Sequence, residues 1–70
     1  MRYAVVIEKA ESNFSAYVPD LPGCVATGQT IKETESLIRE AIAFHLDGMR
    51  ADGDLIPEPS SQVEYVEVIA

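Results

Sequence analysis

Residues 30–50, TIKETESLIREAIAFHLDGMR, have the repeat of an amphipathic helix. Thr30 and Glu33 have the spacing of a capping box, in which side chains satisfy backbone N–H groups of the first turn. Residues 52–54, Asp-Gly-Asp, supply a glycine of the kind that ends helices. We therefore predict one helix over residues 31–50. At about 100° per residue, its predicted apolar face consists of Ile31, Ile38, Ala41, Ile42, His45, Leu46 and Met49.

Three short segments before this helix have the composition and alternation of β-strands. They cover residues 2–9, 14–18 and 24–27. Polar residues 10–13 separate the first two, and residues 19–23 contain the Pro and Gly that favour a turn between the last two. Because short connections join neighbouring antiparallel strands, we predict a three-stranded meander.

After the helix, residues 57–59 form a stiff Pro-Glu-Pro connector, and residues 62–69 again have the composition of a strand. A strand–helix–strand crossover places its two strands parallel. We therefore predict an α+β fold with the order β-β-β-α-β. The last strand lies parallel to the first, and one helix covers one sheet face. Glu64 and Glu67 either protect an open edge from pairing or accompany strand addition to a partner, and the sequence does not choose between them.

The chain has 70 residues, enough for one small domain over residues 1–70. Domains of this size often gain stability from self-association, and we expect a homo-oligomer. Twelve acidic residues against five basic ones give a net charge of −7. This charge disfavours nucleic acids and anionic membranes and favours a basic protein partner, although it also serves simple solubility. The first residues do not resemble a signal peptide, so we expect a cytoplasmic protein.

Residues with catalytic chemistry are few and scattered. His45 lies on the apolar helical face, where a structural role is the simpler interpretation. Cys24 has no basic neighbour to lower its pKa, and one cysteine forms no intramolecular disulfide. Glu8 and Asp20 are the two carboxylates that a minimal metal-dependent nuclease would use. We expect a protein without enzymatic activity, cofactor or metal.

Two series on the helix are spaced by seven residues. Glu33, Glu40 and Asp47 form an acidic line on its polar side. Such a line is either a solvated face or a surface for a basic partner, and with Asp20 these residues are our predicted partner-binding set. Leu37 and Phe44 flank the apolar face. They are either the margin of the core or an interface between subunits.

Several motifs together resemble the HicB antitoxin family. They cover nearly the whole chain: residues 17–24, with the turn Pro19, Asp20, Leu21, Pro22, Gly23 and Cys24; residues 27–30; residues 40–48; and residues 56–60. The resemblance implies a truncated ribonuclease H-like domain. It also implies direct binding to a HicA toxin, a small basic mRNA interferase. Members usually add a C-terminal DNA-binding segment. Since residues 1–70 end directly after the last predicted strand, we expect them not to bind operator DNA.

Three functions follow from the sequence. The first is a protein-binding antitoxin with a small basic HicA-like partner. The second is a stand-alone homo-oligomer, a dimer or tetramer, with Leu37 and Phe44 in its interface. The third is the minimal nuclease of Glu8 and Asp20.

Overall fold

The computed structural model describes residues 1–69. Four elements follow one another along the chain: β1 (Val6–Lys9), β2 (Phe14–Tyr17), β3 (Val25–Gly28) and α1 (Ile31–Ala51). The strands form one antiparallel sheet in the order β1-β2-β3. The α+β class, the meander and the single long helix are therefore as predicted.

The central strand fixes how the sheet meets the helix. Ala16 lies opposite Ile7 of β1 and Ala26 of β3, and it is buried. The first strand is shorter than predicted, because its pairing with β2 ends where Val6 lies opposite Tyr17. Two residues after Tyr17 the chain reaches Pro19, which has no N–H to donate to a strand ladder.

The start of α1 is a capping box built against the end of β3. Thr30 has extended backbone angles, and its Oγ1 accepts a hydrogen bond of 3.0 Å from the backbone N–H of Glu33. Glu33 Oε1 in turn accepts one of 2.7 Å from the N–H of Gln29. Thr34 is fully buried and packs beside Gly28. This local chemistry sets both where the helix begins and how closely it meets the sheet.

The end of α1 is set by Gly53, which has a φ of +74°. Its N–H donates to the carbonyl of Arg50 at 3.1 Å, and the N–H of Asp54 donates to Met49 at 2.9 Å. This pair of bonds is a Schellman motif, which satisfies carbonyls that the ending helix leaves unpaired. The predicted glycine stop is therefore correct, and the helix runs one residue further than predicted.

The core lies between the helix and the sheet. Its buried apolar residues are Ala16, Val18, Leu21, Cys24 and Ile38. Ala41, Ile42 and Leu46 pack against them, and His45 is half-buried on the same side of α1. Ile31, which we placed on the apolar face, is 55% exposed. Helical side chains point toward the N-terminus, so a residue of the first turn has no preceding turn to pack over.

The predicted fourth strand is absent from residues 62–69 of the single chain. These residues, here named the tail, are exposed and form no strand. The prediction that the last strand lies parallel to β1 is therefore wrong for the single chain. A β-branched and aromatic composition indicates that a segment can form a strand, but a strand also needs an edge to pair with, and composition does not identify that edge. Among the helices of residues 1–69, none combines the length and apolarity needed to cross a membrane.

Candidate functional site

A line of acidic and apolar side chains runs along the outer face of α1. Glu33, Leu37, Glu40, Phe44 and Asp47 follow one another at alternating steps of four and three residues. Such steps keep all five within about 80° of the helix circumference. We name these five residues the α1 stripe. It joins the two predicted series into one surface.

The apolar members of the α1 stripe differ in exposure. Phe44 is 82% exposed and Leu37 is 37% exposed. An exposed phenyl ring of this kind is not a margin of the core, which was one of our two interpretations of Phe44. Its nearest stripe neighbours are the exposed carboxylates of Glu40 and Asp47. An apolar anchor inside a charged surround is the usual composition of a protein-binding surface.

The three carboxylates of the stripe have different surroundings. Glu33 is committed to the capping box through its Oε1 atom. Asp47 pairs with Arg50 at 3.3 Å, with both side chains largely exposed. Within residues 1–69, the Glu40 carboxylate forms no hydrogen bond or ion pair. The carboxylates of Glu40 and Asp47 are therefore the least constrained of the three, because exposed ion pairs are weak and easily exchanged.

Asp20, which we placed in the predicted partner-binding set, is hydrogen-bonded within the chain. Its carboxylate accepts hydrogen bonds from the backbone N–H groups of Ser60 and Ser61, both at 2.9 Å. It also accepts from the two serine hydroxyls, at 3.1 and 2.8 Å. These bonds lower the pKa of Asp20 from 3.8 to about 2, with the backbone bonds from Ser61 and Ser60 as the main causes. We name this arrangement the Asp20 clasp, and a basic partner would have to compete with it.

The Pro19–Cys24 motif is a turn that closes the core. Leu21 and Cys24 are both buried, and Gly23 has a φ of +84°. Val18 and Cys24 are joined by a hydrogen bond of 3.3 Å, from the N–H of Val18 to the carbonyl of Cys24. Burial raises the pKa of the Cys24 thiol, which disfavours the reactive thiolate. The motif packs and turns the chain, as its Pro and Gly residues predicted.

The other residues with possible chemistry are not brought together. Glu8 is exposed on β1, and Asp20 is held in its clasp on a different segment. Across residues 1–69, no group of three or more His, Cys, Asp or Glu side chains is placed to hold a metal ion.

Sequence reasoning missed the serines of the Asp20 clasp. Ser60 belongs to the Pro-rich motif that we noted only as a family signature. Its hydroxyl and N–H are hydrogen-bond donors, but the sequence does not show which acceptor they meet. The Asp itself lies 40 residues earlier in the chain, and no local pattern connects the two.

The comparisons with known proteins agree with this fold. Residues 3–68 match the family model described as the HicB-like antitoxin of bacterial toxin–antitoxin systems. A 14.9 kDa protein from the rep-hol intergenic region of Haemophilus phage HP1 is 36% identical over 66 residues, covering 94% of this chain. Antitoxin HicB 2 of Photorhabdus laumondii is 34% identical over 71 residues, covering 100% of this chain. The chain spans about half the length of these two relatives, 50% and 51% respectively.

A solved structure is similar to this chain in fold. A chain of the HicA3 and HicB3 toxin–antitoxin complex superposes with a TM-score of 0.74 at 30% identity. The superposition covers 86% of this chain and 70% of the other. Sequence motifs, fold and relatives thus agree, and the chain belongs to the HicB-like antitoxin family of bacterial toxin–antitoxin systems.

Proposed function

We propose that this protein is a non-enzymatic antitoxin that binds a small basic HicA-type mRNA interferase directly and so neutralises it. Exposure of Phe44 within the acidic α1 stripe is the observation that carries the proposal. Its support from relatives is the family match and the similarity to a chain of a HicA3–HicB3 complex.

Binding begins with charge. The chain has a net charge of −7, and the stripe carries three of its twelve carboxylates. A complementary basic surface accelerates encounter and rejects acidic partners. Because exposed charges mainly change the association rate, the stripe carboxylates are expected to steer the toxin rather than to hold it.

Affinity then comes from the apolar members. Burying an aromatic side chain in a pocket of the partner, inside a rim of polar contacts, is a common source of binding energy. Phe44 is the most exposed side chain of this kind on the helix, and Leu37 lies about two turns before it. The stripe therefore offers one aromatic anchor, one smaller apolar contact and a charged rim.

Two matched pairs of variants test the stripe against a purified HicA-type toxin of the same host. Phe44→Ala is compared with Leu55→Ala, because Leu55 is 92% exposed on the connector after the helix. We expect Phe44→Ala to weaken binding about thirtyfold, which corresponds to the loss of about 2 kcal/mol. Leu55→Ala is expected to bind like the wild type. Equal affinities for the two variants would remove Phe44 from the interface.

The second pair separates local charge from net charge. Glu40→Lys with Asp47→Lys is compared with Glu11→Lys with Glu58→Lys, which changes the net charge equally at exposed positions away from the stripe. At low salt we expect the first pair to slow association about tenfold and the second to slow it much less. Equal slowing would mean that the toxin senses only the total charge.

Neutralisation is measured as protection of RNA. The toxin alone should cleave a test RNA, and one equivalent of this protein should prevent cleavage. Tight binding without protection would contradict the antitoxin role while leaving the interface intact. If no HicA-type toxin binds at micromolar concentration, the stand-alone homo-oligomer becomes the better function, and its Leu37–Phe44 interface is tested by whether Phe44→Ala lowers the mass in solution.

A further inference from the structure

An apolar groove runs beside the edge of the sheet, between β1 and α1. Val5 and Ile7 line it on the sheet side, and Ile38 and Ile42 line it on the helix side. The groove exists because α1 packs mainly over β3 and β2 and least over β1. β1 is also the last strand of the sheet order on this side, so its outward backbone groups have no neighbouring strand. The core is thus open where a fourth strand would close it.

The tail has the properties of that missing strand. It reads Gln-Val-Glu-Tyr-Val-Glu-Val-Ile, and Tyr65, Val66 and Val68 are 96%, 79% and 75% exposed. The molecule is also elongated, measuring 48 Å along its longest axis and 26 and 16 Å along the other two. Leaving these side chains in water forgoes about 1.5–3 kcal/mol for each large one that could be buried. A segment of this composition is expected to be covered in the working protein.

The start of the tail is held close to this edge, although the tail forms no strand there. The Asp20 clasp holds Ser60 and Ser61, and the Tyr3 hydroxyl donates to the carbonyl of Pro57. Residues 2–4, which lead into β1, line a shallow surface depression together with residues 59–63. Each chain therefore carries an unpaired β1 edge beside the groove and an unpaired tail, and its own tail does not occupy that edge.

We propose that two copies of this chain exchange tails, so that residues 62–69 of each copy add as a strand to β1 of the other and cover its groove. In a dimer with one two-fold axis, the β1 edges of both copies are paired by the same exchange. Exchange of an identical element is a low-cost route to a dimer. The charges of the two surfaces also favour the tail of the second copy as the occupant of the groove. Two of the chain's five basic residues, Arg2 and Arg39, line the groove. Glu35 lines it too and pairs with Arg39 at 3.8 Å, so the lining has a net charge of +1, and the tail carries Glu64 and Glu67. This inference does not depend on the proposed toxin interface, which lies on the outer face of α1.

Mass and isotope-filtered NMR test the exchange on the full chain. We expect light scattering to give twice the 7.6 kDa chain mass at micromolar concentration. In a dimer mixed from labelled and unlabelled chains, we expect intermolecular NOEs between the tail and Val5 or Ile7. A monomer with its tail on its own β1 would overturn the proposal. So would a dimer whose intermolecular NOEs join tail to tail only, or that lacks contacts between tail and β1.

A matched pair of variants adds a quantitative arm. Val66→Glu and Leu55→Glu each place one new charge on an exposed apolar position, so neither is expected to disturb the folding of the single chain. We expect Val66→Glu to raise the dimer dissociation constant at least tenfold, because the change occurs twice in each dimer. Leu55→Glu should leave the constant within twofold of the wild type. Equal constants for the two variants, both folded by circular dichroism, would place Val66 outside the interface and refute the exchange.

Discussion

Gly28 is the position where the smallest change should have the clearest effect on stability. A Cβ atom at this position would lie 2.7 Å from Thr34 Oγ1 and 3.0 Å from both Glu33 Oε1 and the backbone N of Thr34. The Thr34 hydroxyl cannot swing aside, because it donates a 2.7 Å hydrogen bond to the carbonyl of Thr30 and its residue is fully buried. In Gly28→Ala the helix must therefore move away from the end of β3.

The expected cost follows from this geometry. Overpacking a tight site costs about 1–3 kcal/mol. Replacing glycine also reduces the entropy of the unfolded chain, which returns about 0.4–1 kcal/mol where the backbone is unstrained. We expect Gly28→Ala to lower the free energy of unfolding by about 1–2 kcal/mol, or the melting temperature by about 4–8 °C for each kcal/mol.

The matched control is Gly48→Ala in the same protein. A Cβ at Gly48 would have no heavy atom within 4 Å, and the residue lies inside α1. Alanine is the better helix former by about 0.5–1 kcal/mol, so this variant should be more stable than the wild type. Urea unfolding at one fixed protein concentration measures both, because any self-association makes stability depend on concentration. If Gly28→Ala is as stable as Gly48→Ala, the packing argument at the helix start is wrong.

Four further predictions concern three residues, Asp20, Cys24 and Thr30. The pKa of Asp20 is lowered to about 2, so the clasp should stabilise the fold fully above about pH 4 and lose its effect as the pH falls through 2. The ¹³C chemical shift of the Asp20 carboxyl measures this titration, and a midpoint near pH 3.8 would contradict the prediction. In Asp20→Asn, the amides of Ser60 and Ser61 should exchange with solvent faster, while those of β2 keep their protection. Cys24, buried and with a raised pKa, should react with iodoacetamide only at the rate of unfolding; rapid reaction of the native protein would refute its burial. Thr30→Ala should cost about 1 kcal/mol of stability by urea unfolding, since it removes the helix cap, whereas Thr30→Ser should be close to neutral.

The elements that the sequence predicted well are those whose signals are local. Thr30, Glu33 and Gly53 all act within a few residues of themselves, and the helix they delimit was placed to within one residue. The meander was predictable because each strand pairs with its neighbour in the chain through a short connection.

The features that were missed depend on partners far away in the sequence. The composition of residues 62–69 indicates a strand, but its pairing depends on an edge that the composition does not identify. Asp20 was recognised as part of a turn, yet its hydrogen-bond partners lie 40 and 41 residues later. Phe44 was found from its spacing to Leu37, and only the packing of α1 showed how exposed it is.

The Asp20 clasp also has a consequence for the order of folding. The sheet and the helix close short loops, whereas the clasp and the bond from Tyr3 to Pro57 join residues 40 to 54 positions apart. Since longer loops cost more chain entropy to close, these ties should form after the rate-limiting step. Weakening them should therefore accelerate unfolding and leave the refolding rate nearly unchanged. On the ribosome β1 is also synthesised well before the tail, so a finished neighbour can offer its tail to this edge before the chain's own tail is available.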